Sequence, residues 1–270
     1  MRRPFLSWLA DRLILCPTRH PIDAGGKTRR MVSFGGDTPN GALEIWTQRV
    51  EAEPSAAADL YVLKFPGTAG RAERSTGHPA DAWPGTSVEL WTLNPPGYGG
   101  SAGTASLRGM AAVADTVLET LREQAAGRPI LVSGNSLGCV SALYLAARHG
   151  SVGLILRNPP PLREVIVERF GRRWWSFGVR LLAHQIAPEL DAIRNAAATS
   201  VPAVFITAQR DRIVPPRCQQ QVIDAFGGPK RVLRLAQADH HTLMTEAEAE
   251  SYRDDLQWLH RQIMPGQGGS

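Results

Sequence analysis

Several things are scarce in this 270-residue chain, and each scarcity closes a route. Cysteine occurs only as Cys16, Cys139 and Cys218. An odd, sparse set is no disulfide framework, so the fold must rest on its core, and such a set suits a reducing compartment. Lysine is confined to Lys27, Lys64 and Lys230, so the net charge of +5 is carried almost wholly by arginine. Those arginines do not cluster with stacking aromatics as a nucleic-acid surface requires; only the stretch 163–180 comes near it. No apolar run reaches the ~20 residues of a membrane span. Internal repeats and low-complexity linkers are missing too, and 43% hydrophobic with 20% charged residues is ordinary globular composition. One domain over 1–270 is the default at this length, with a frayed tail at 265–270.

The N-terminus begins like a secretory signal, with Arg2 and Arg3 before Phe5-Leu6-Ser7-Trp8-Leu9-Ala10. Asp11 and Arg12 then break the apolar run, and Leu15 is too bulky for a lipoprotein cleavage site before Cys16. Residues 4–15 read as a short amphipathic helix, packed on its own domain or resting on a membrane surface.

What is present is an alternation. Apolar runs of strand length fall at 43–50, 60–65, 88–93, 130–133, 152–157, 203–207 and 232–235. Helical patterns fall at 107–124, 137–149, 162–186, 188–197, 216–226 and 247–263. Met110, Val113, Val117, Leu118 and Leu121 recur at helical spacing and make one buried stripe. Continuously apolar strands alternating with helices predict an α/β fold: a mostly parallel sheet with helices on both faces. The strands before the first long helix predict an antiparallel edge. Ligands of such sheets sit beyond the carboxyl ends of the strands.

Four motifs fall at those ends. Gly134-Asn135-Ser136-Leu137-Gly138 is a G-x-S-x-G that follows the strand ending at Ser133 and opens a helical run. A strand, a sharp turn and a helix are what an exposed nucleophilic serine needs, and side chains at 134 and 138 would crowd the backbone. Gly99-Gly100-Ser101-Ala102-Gly103 matches the same pattern, but sits in a Pro/Gly-rich loop with no helix behind it. Phe65-Pro66-Gly67-Thr68-Ala69-Gly70 is a glycine-rich loop after a strand, able to turn a backbone N–H toward an oxyanion; Thr68 and Leu137 are the candidate donors. Asp211 follows the strand at 203–207, and can orient an imidazole. Its rivals Asp191 and Asp224 fall within helical patterns. His240 follows the last strand and is favoured as base, with the adjacent His241 as the alternative. The order Ser136, Asp211, His240 is the Ser…Asp…His order of one hydrolase fold.

These residues resemble the α/β-hydrolase superfamily, in particular its serine aminopeptidase-like and monoacylglycerol lipase-like branch, from about Leu60 to about Leu259. The resemblance rests on the elbow at 134–138, the oxyanion loop at 67–70, the loop at 94–103 and the acid segment from Val201 to Pro215. It departs at Pro66, where many members have His, and at Gln237, where members usually have Gly. It implies an eight-stranded, mainly parallel sheet and hydrolysis of an ester, thioester or amide, with Ser136 as nucleophile, His240 as base and Asp211 as acid. No metal or organic cofactor is implied.

A lid is expected over about 158–187. It carries Val165, Ile166, Val167, Phe170, Trp174, Trp175, Phe177, Leu181 and Leu182 against a set of arginines. It reads as an amphipathic cap, or as a surface for an acidic headgroup or membrane. The expected partner is a small acyl substrate, with no nucleic acid; the expected location is cytoplasmic, with peripheral membrane contact through residues 4–15 or the lid left open, as is the oligomeric state. Two other classes compete. A dinucleotide site at Gly97-Tyr98-Gly99-Gly100-Ser101-Ala102 is disfavoured, because Pro95-Pro96 intrudes and no helix opens directly after the glycines. A non-catalytic binding protein on the same fold is the main alternative.

Overall fold

Strand-forming runs separated by helices assemble, in a computed structural model, into one eight-stranded sheet. The structure describes residues 5–35, 41–50, 57–170, 181, 183–184 and 186–264. The strands are β1 (Thr28–Ser33), β2 (Ala42–Val50), β3 (Leu60–Phe65), β4 (Val88–Asn94), β5 (Ile130–Asn135), β6 (Gly153–Arg157), β7 (Ala203–Ala208) and β8 (Lys230–Leu235). Their order across the sheet is β1-β2-β4-β3-β5-β6-β7-β8. β1 pairs with β2, and β2 with β4, in antiparallel sense, as the early strands predict; every later pairing is parallel.

The helices are α1 (Phe5–Ile14), α2 (Met110–Ala125), α3 (Gly138–His149), α4 (Leu162–Phe170), α5 (Ala192–Ala197), α6 (Pro216–Ala225) and α7 (Glu246–Ile263). They cover the two faces unequally. On one face α2, α3, α5 and α6 pack over Leu63, Val132, Leu156 and Phe205. On the other, Trp83 and the Tyr252, Leu256, Leu259 and Ile263 stripe of α7 pack over Val62, Leu131, Ile155 and Val204. Adjacent residues of one strand thus enter different cores, which is why the central strands are apolar at nearly every position. α7 starts at a capping box in which Thr245 and Glu248 satisfy each other's backbone N–H groups.

α1 packs on its own domain. Ala10 and Leu15 are buried beside Tyr98, Leu107 and Leu137, and Asp11 accepts the Leu107 N–H at 2.8 Å. Trp8 faces outward, 46% exposed, with Arg12 over its ring. No helix among the described residues is long and apolar enough to cross a membrane. The segment where a lid is expected is described in part: it begins with α4, whose Leu162 and Ile166 pack with Leu137 and Val140. Its 171–180 segment, with Trp174, Trp175 and Phe177, lies outside the described residues, as does the tail at 265–270. The helical pattern at 188–197 is not one helix. A 3-10 turn at Pro188–Leu190 precedes α5, and Asp191 accepts the Arg194 N–H as its N-cap.

Candidate active site

β5 ends at Asn135, α3 begins at Gly138, and Ser136 makes the turn between them with φ +50°. A non-glycine residue in the left-handed region is strained and needs surrounding structure to hold it. Here the Ser136 N–H donates to the Arg157 carbonyl at 2.7 Å and the Ser136 carbonyl accepts from Cys139 at 2.9 Å. The flanking glycines are steric requirements. A Cβ at Gly134 would lie 2.5 Å from the Cys139 Cα, and one at Gly138 would run into the Phe65 carbonyl.

Asp211 stands in the turn after β7, fully buried in its side chain. Its Oδ1 accepts the N–H groups of Ile213 and Val214, both at 2.8 Å, and its Oδ2 accepts Gln219 Nε2 at 3.1 Å. His240 follows β8 in a loop pinned by Asp239, whose Oδ1 accepts from the His241 N–H, the Thr242 N–H and the Thr242 hydroxyl. The Thr242 hydroxyl, then the His241 N–H, hold the Asp239 carboxyl below its usual range. The sheet brings the three together. His240 Nδ1 is 2.6 Å from Asp211 Oδ2, and His240 Nε2 is 3.0 Å from Ser136 Oγ. His241 is exposed and meets His240 only edge-on, with ring centroids 5.0 Å apart. Ser101 is elsewhere and fully engaged: its hydroxyl donates to the Asn94 carbonyl at 2.5 Å and accepts the Glu44 N–H at 2.8 Å. Asp224 lies on α6, where it accepts from Gln220.

The loop after β3 turns beside the serine. Gly70 N–H donates to the Gly67 carbonyl at 2.9 Å, with Ala69 at φ +55°. Gly67 is so close that a Cβ there would lie 3.2 Å from that of Ser136. The Gly70 N–H is therefore already engaged within the turn. The loop continues into a buried polar network. Arg71 pairs with Glu73 and donates to the carbonyls of Thr18 and His20. Asn94 Nδ2 bridges Glu73 at 2.9 Å and Glu44 at 2.7 Å. Burial by itself would raise both carboxyls, yet both stay below their usual range. The Gly100 N–H, Asn94 and Arg29 do this at Glu44, and Arg71 and Asn94 at Glu73.

No family model matches the chain. An uncharacterised protein of Mycobacterium tuberculosis is 31% identical over 160 residues, 58% of this chain and 54% of that one, so the match spans about half the relative's length. Solved structures align over far more of it. An esterase of Pyrococcus furiosus superposes with a TM-score of 0.67 at 12% identity, covering 93% of this chain and 97% of that one. A protein of Xanthomonas campestris described as an α/β serine hydrolase without a lid superposes with a TM-score of 0.58 at 18% identity, covering 93% and 99%. This is the α/β-hydrolase fold. In it the elbow, the acid turn and the histidine loop all lie at the carboxyl ends of the strands.

Two further residues tie those loops together, and neither stands out in the sequence. Asn158, fully buried with φ +51°, donates to the His240 carbonyl at 3.3 Å and accepts the Ala208 N–H at 3.0 Å. It joins the ends of β6 and β7 to the histidine loop. Gln219, on α6, reaches Asp211 and the Val214 carbonyl together. Beside the elbow, a cavity of about 390 Å³ is lined by Leu15, Phe34, Phe65, Leu93, Met110 and Leu137 among others, mostly apolar.

Proposed function

We propose that the chain is a serine hydrolase that cleaves an acyl ester, thioester or amide through an acyl-enzyme on Ser136. One observation carries this: an unbroken run of hydrogen bonds from a strained serine through His240 to buried Asp211. Ser136 Oγ bonds to the acyl carbon while His240 Nε2 takes its proton. Asp211 Oδ2, opposite Nδ1, stabilises the imidazolium. When the tetrahedral adduct collapses, the bond to the leaving group breaks and His240 returns the proton to it. Water then repeats the cycle on the acyl-enzyme. The N–H groups of Leu137 and Thr68 hold the oxyanion. Leu137 precedes the first turn of α3, where backbone N–H groups have no helical partners, and Thr68 sits at the corner of the Gly67–Gly70 turn. The apolar cavity beside Leu137 suits the acyl part of a hydrophobic substrate. The likeness to an esterase and to a serine hydrolase supports the reading at the level of the fold.

The test is labelling with a fluorophosphonate probe followed by peptide mapping, on protein whose cooperative thermal unfolding has been recorded. Modification at Ser136 is expected. A folded protein that does not label turns the assignment toward a binding protein on the same fold.

A further inference from the structure

The oxyanion loop has a second cleft on its other side, of about 700 Å³, bounded by Gly67 and Asn135 next to Ser136. Its origin lies in the strand pattern. On the face covered by α7, the central strands are apolar up to Leu90, Val62, Leu131 and Ile155. One inward position further on, at their carboxyl ends, that pattern stops. Thr92, Lys64 and Ser133 are register partners on three adjacent strands, and Arg157, paired with Asn135, continues the row on β6. A core face has become a polar wall at the point where it reaches the elbow.

The wall is cationic. Among the described residues, none lining the cleft is Asp or Glu. Lys64 Nζ donates to the carbonyls of Thr76 at 2.9 Å and His78 at 2.7 Å; Asp81 acts on it only at a distance. Arg157 donates to the Thr242 carbonyl at 2.7 Å and, among the described residues, pairs with no acid. His78 and Tyr252 hydrogen-bond each other at 2.6 Å and add no negative charge, since burial holds the phenol protonated. Burial pushes the Lys64 ammonium down to about 8 and also lowers Arg157. Two partly buried cations with no carboxylate in contact, among the described residues, are costly to hold. A ligand anion would remove that cost, as the guanidinium and ammonium supply charge-assisted donors. Arg74, exposed at the rim, adds a third charge along the way in.

We propose that this cleft is an anion subsite of the hydrolase, taking a phosphate or carboxylate borne on the leaving-group side of the acyl substrate. The proposal rests on the hydrolase reading and narrows it. The substrate is an amphiphile whose chain lies in the apolar cavity on one side of Pro66–Gly67 and whose anionic head lies against Lys64 and Arg157 on the other. Both spaces share Phe65, Pro66 and Gly67 as a wall.

The experiment compares esters with one acyl chain and three leaving alcohols: neutral, phosphate-bearing and carboxylate-bearing. For wild type, kcat/KM for at least one anionic ester is expected to exceed the neutral one by about tenfold or more, with the preference falling as salt is raised. In Lys64→Met and Arg157→Met the anionic-to-neutral ratio is expected to fall by at least about tenfold, and a ratio is insensitive to partial loss of folded enzyme. Salt dependence in wild type and the rim variant Arg74→Ser serve if neither core variant folds. Which anion gains most decides between phosphate and carboxylate. In parallel, inorganic phosphate is expected to raise the Tm of wild type but not of Arg157→Met. Neutral and anionic esters cleaved alike, with no Tm shift, overturn the subsite and leave the hydrolase standing. A phosphate-dependent Tm in folded protein that neither labels at Ser136 nor cleaves any of the esters overturns the hydrolase and leaves an anion site.

Discussion

Gln219 holds Asp211 from behind: its Nε2 donates at 3.1 Å to Oδ2, the oxygen that faces His240 Nδ1. The same amide nitrogen donates to the Val214 carbonyl at 2.7 Å, so the acid turn and α6 move as one piece. Gln219→Met removes that donor while keeping the volume. A hydrogen bond to a charged group is worth about 1.5–3 kcal/mol, so kcat for an ester should fall roughly ten- to a hundredfold with KM little changed. Gln219→Glu puts a second carboxylate against Asp211 and should cost more. Steady-state kinetics on both variants check this; wild-type kcat in the two of them would show that Gln219 positions nothing.

The two G-x-S-x-G sequences should separate cleanly. Ser136→Ala is expected to lose on the order of 10⁶ in turnover, as removal of a triad nucleophile does. Ser101→Ala is expected to keep kcat but to lose stability, because the buried Glu44 N–H loses its acceptor. That omission costs about 1–3 kcal/mol, which denaturant titration resolves. An inactive Ser101→Ala of wild-type stability would contradict both assignments.

Much of this arrangement was legible because strands buried on both faces write themselves as apolar runs. The seven runs read from the sequence match β2 to β8 to within two residues at each end. β1 escaped because it is an edge strand: of its six residues only Val32 is buried, so it carries no run to read. The ends of β5 and β8 were missed for a related reason: Asn135, Lys230 and Arg231 are exposed, and Gly134, though buried, has no side chain to read as apolar. Asp191 looked helical because apolar spacing continues around it, while its side chain stops the pattern as a cap. His240 was favoured over its neighbour His241 from the sequence, but what turns it toward Ser136 and Asp211 is tertiary: the loop is pinned by Asp239 and Asn158. Asn158 and Gln219 themselves were hidden because what they touch is tertiary: Asn158 reaches a carbonyl 82 residues along the chain.

The elbow glycines give a prediction about folding. Gly138→Ala places a methyl against the Phe65 carbonyl, which is backbone of a central strand and cannot swing away. The cost should reach about 1–3 kcal/mol or more, as overpacking does, and it should fall on both stability and activity because the Gly67–Gly70 turn beside Ser136 follows Phe65 directly. Gly127→Ala is the control in the other sense: a Cβ there meets nothing, so only its φ of +86° is strained. Thermal unfolding of the two variants should therefore rank Gly138→Ala well below Gly127→Ala. Equal losses would mean that the backbone around Phe65 gives way to the methyl, and that the contact with β3 is not what requires glycine at 138.

Acid should unfold this protein earlier than its carboxylates require. Burial, then the charges of Lys64 and Arg157, push the His78 imidazole down from 6.5 to about 3, and burial, then Arg261, also lowers His260. Both rings are hydrogen-bonded, His78 to the Tyr252 hydroxyl and His260 to that of Thr86. A base with a depressed pKa in the fold takes its proton first in the unfolded chain. Its contribution is therefore complete above about pH 6.5 and drains away as pH falls toward 3, because the unfolded state binds more protons throughout that window. Glu44 and Glu73, lowered from 4.5, add their own loss only below that value. Tm should accordingly begin to fall near pH 6.5, with a second, steeper loss under about pH 4.5. His78→Gln, which can still bond Tyr252, should flatten the first limb and leave the second. A Tm that is level between pH 6.5 and 4.5 in wild type would mean that His78 is protonated within the fold, and the wall around Lys64 and Arg157 would then carry one more positive charge than its burial suggests.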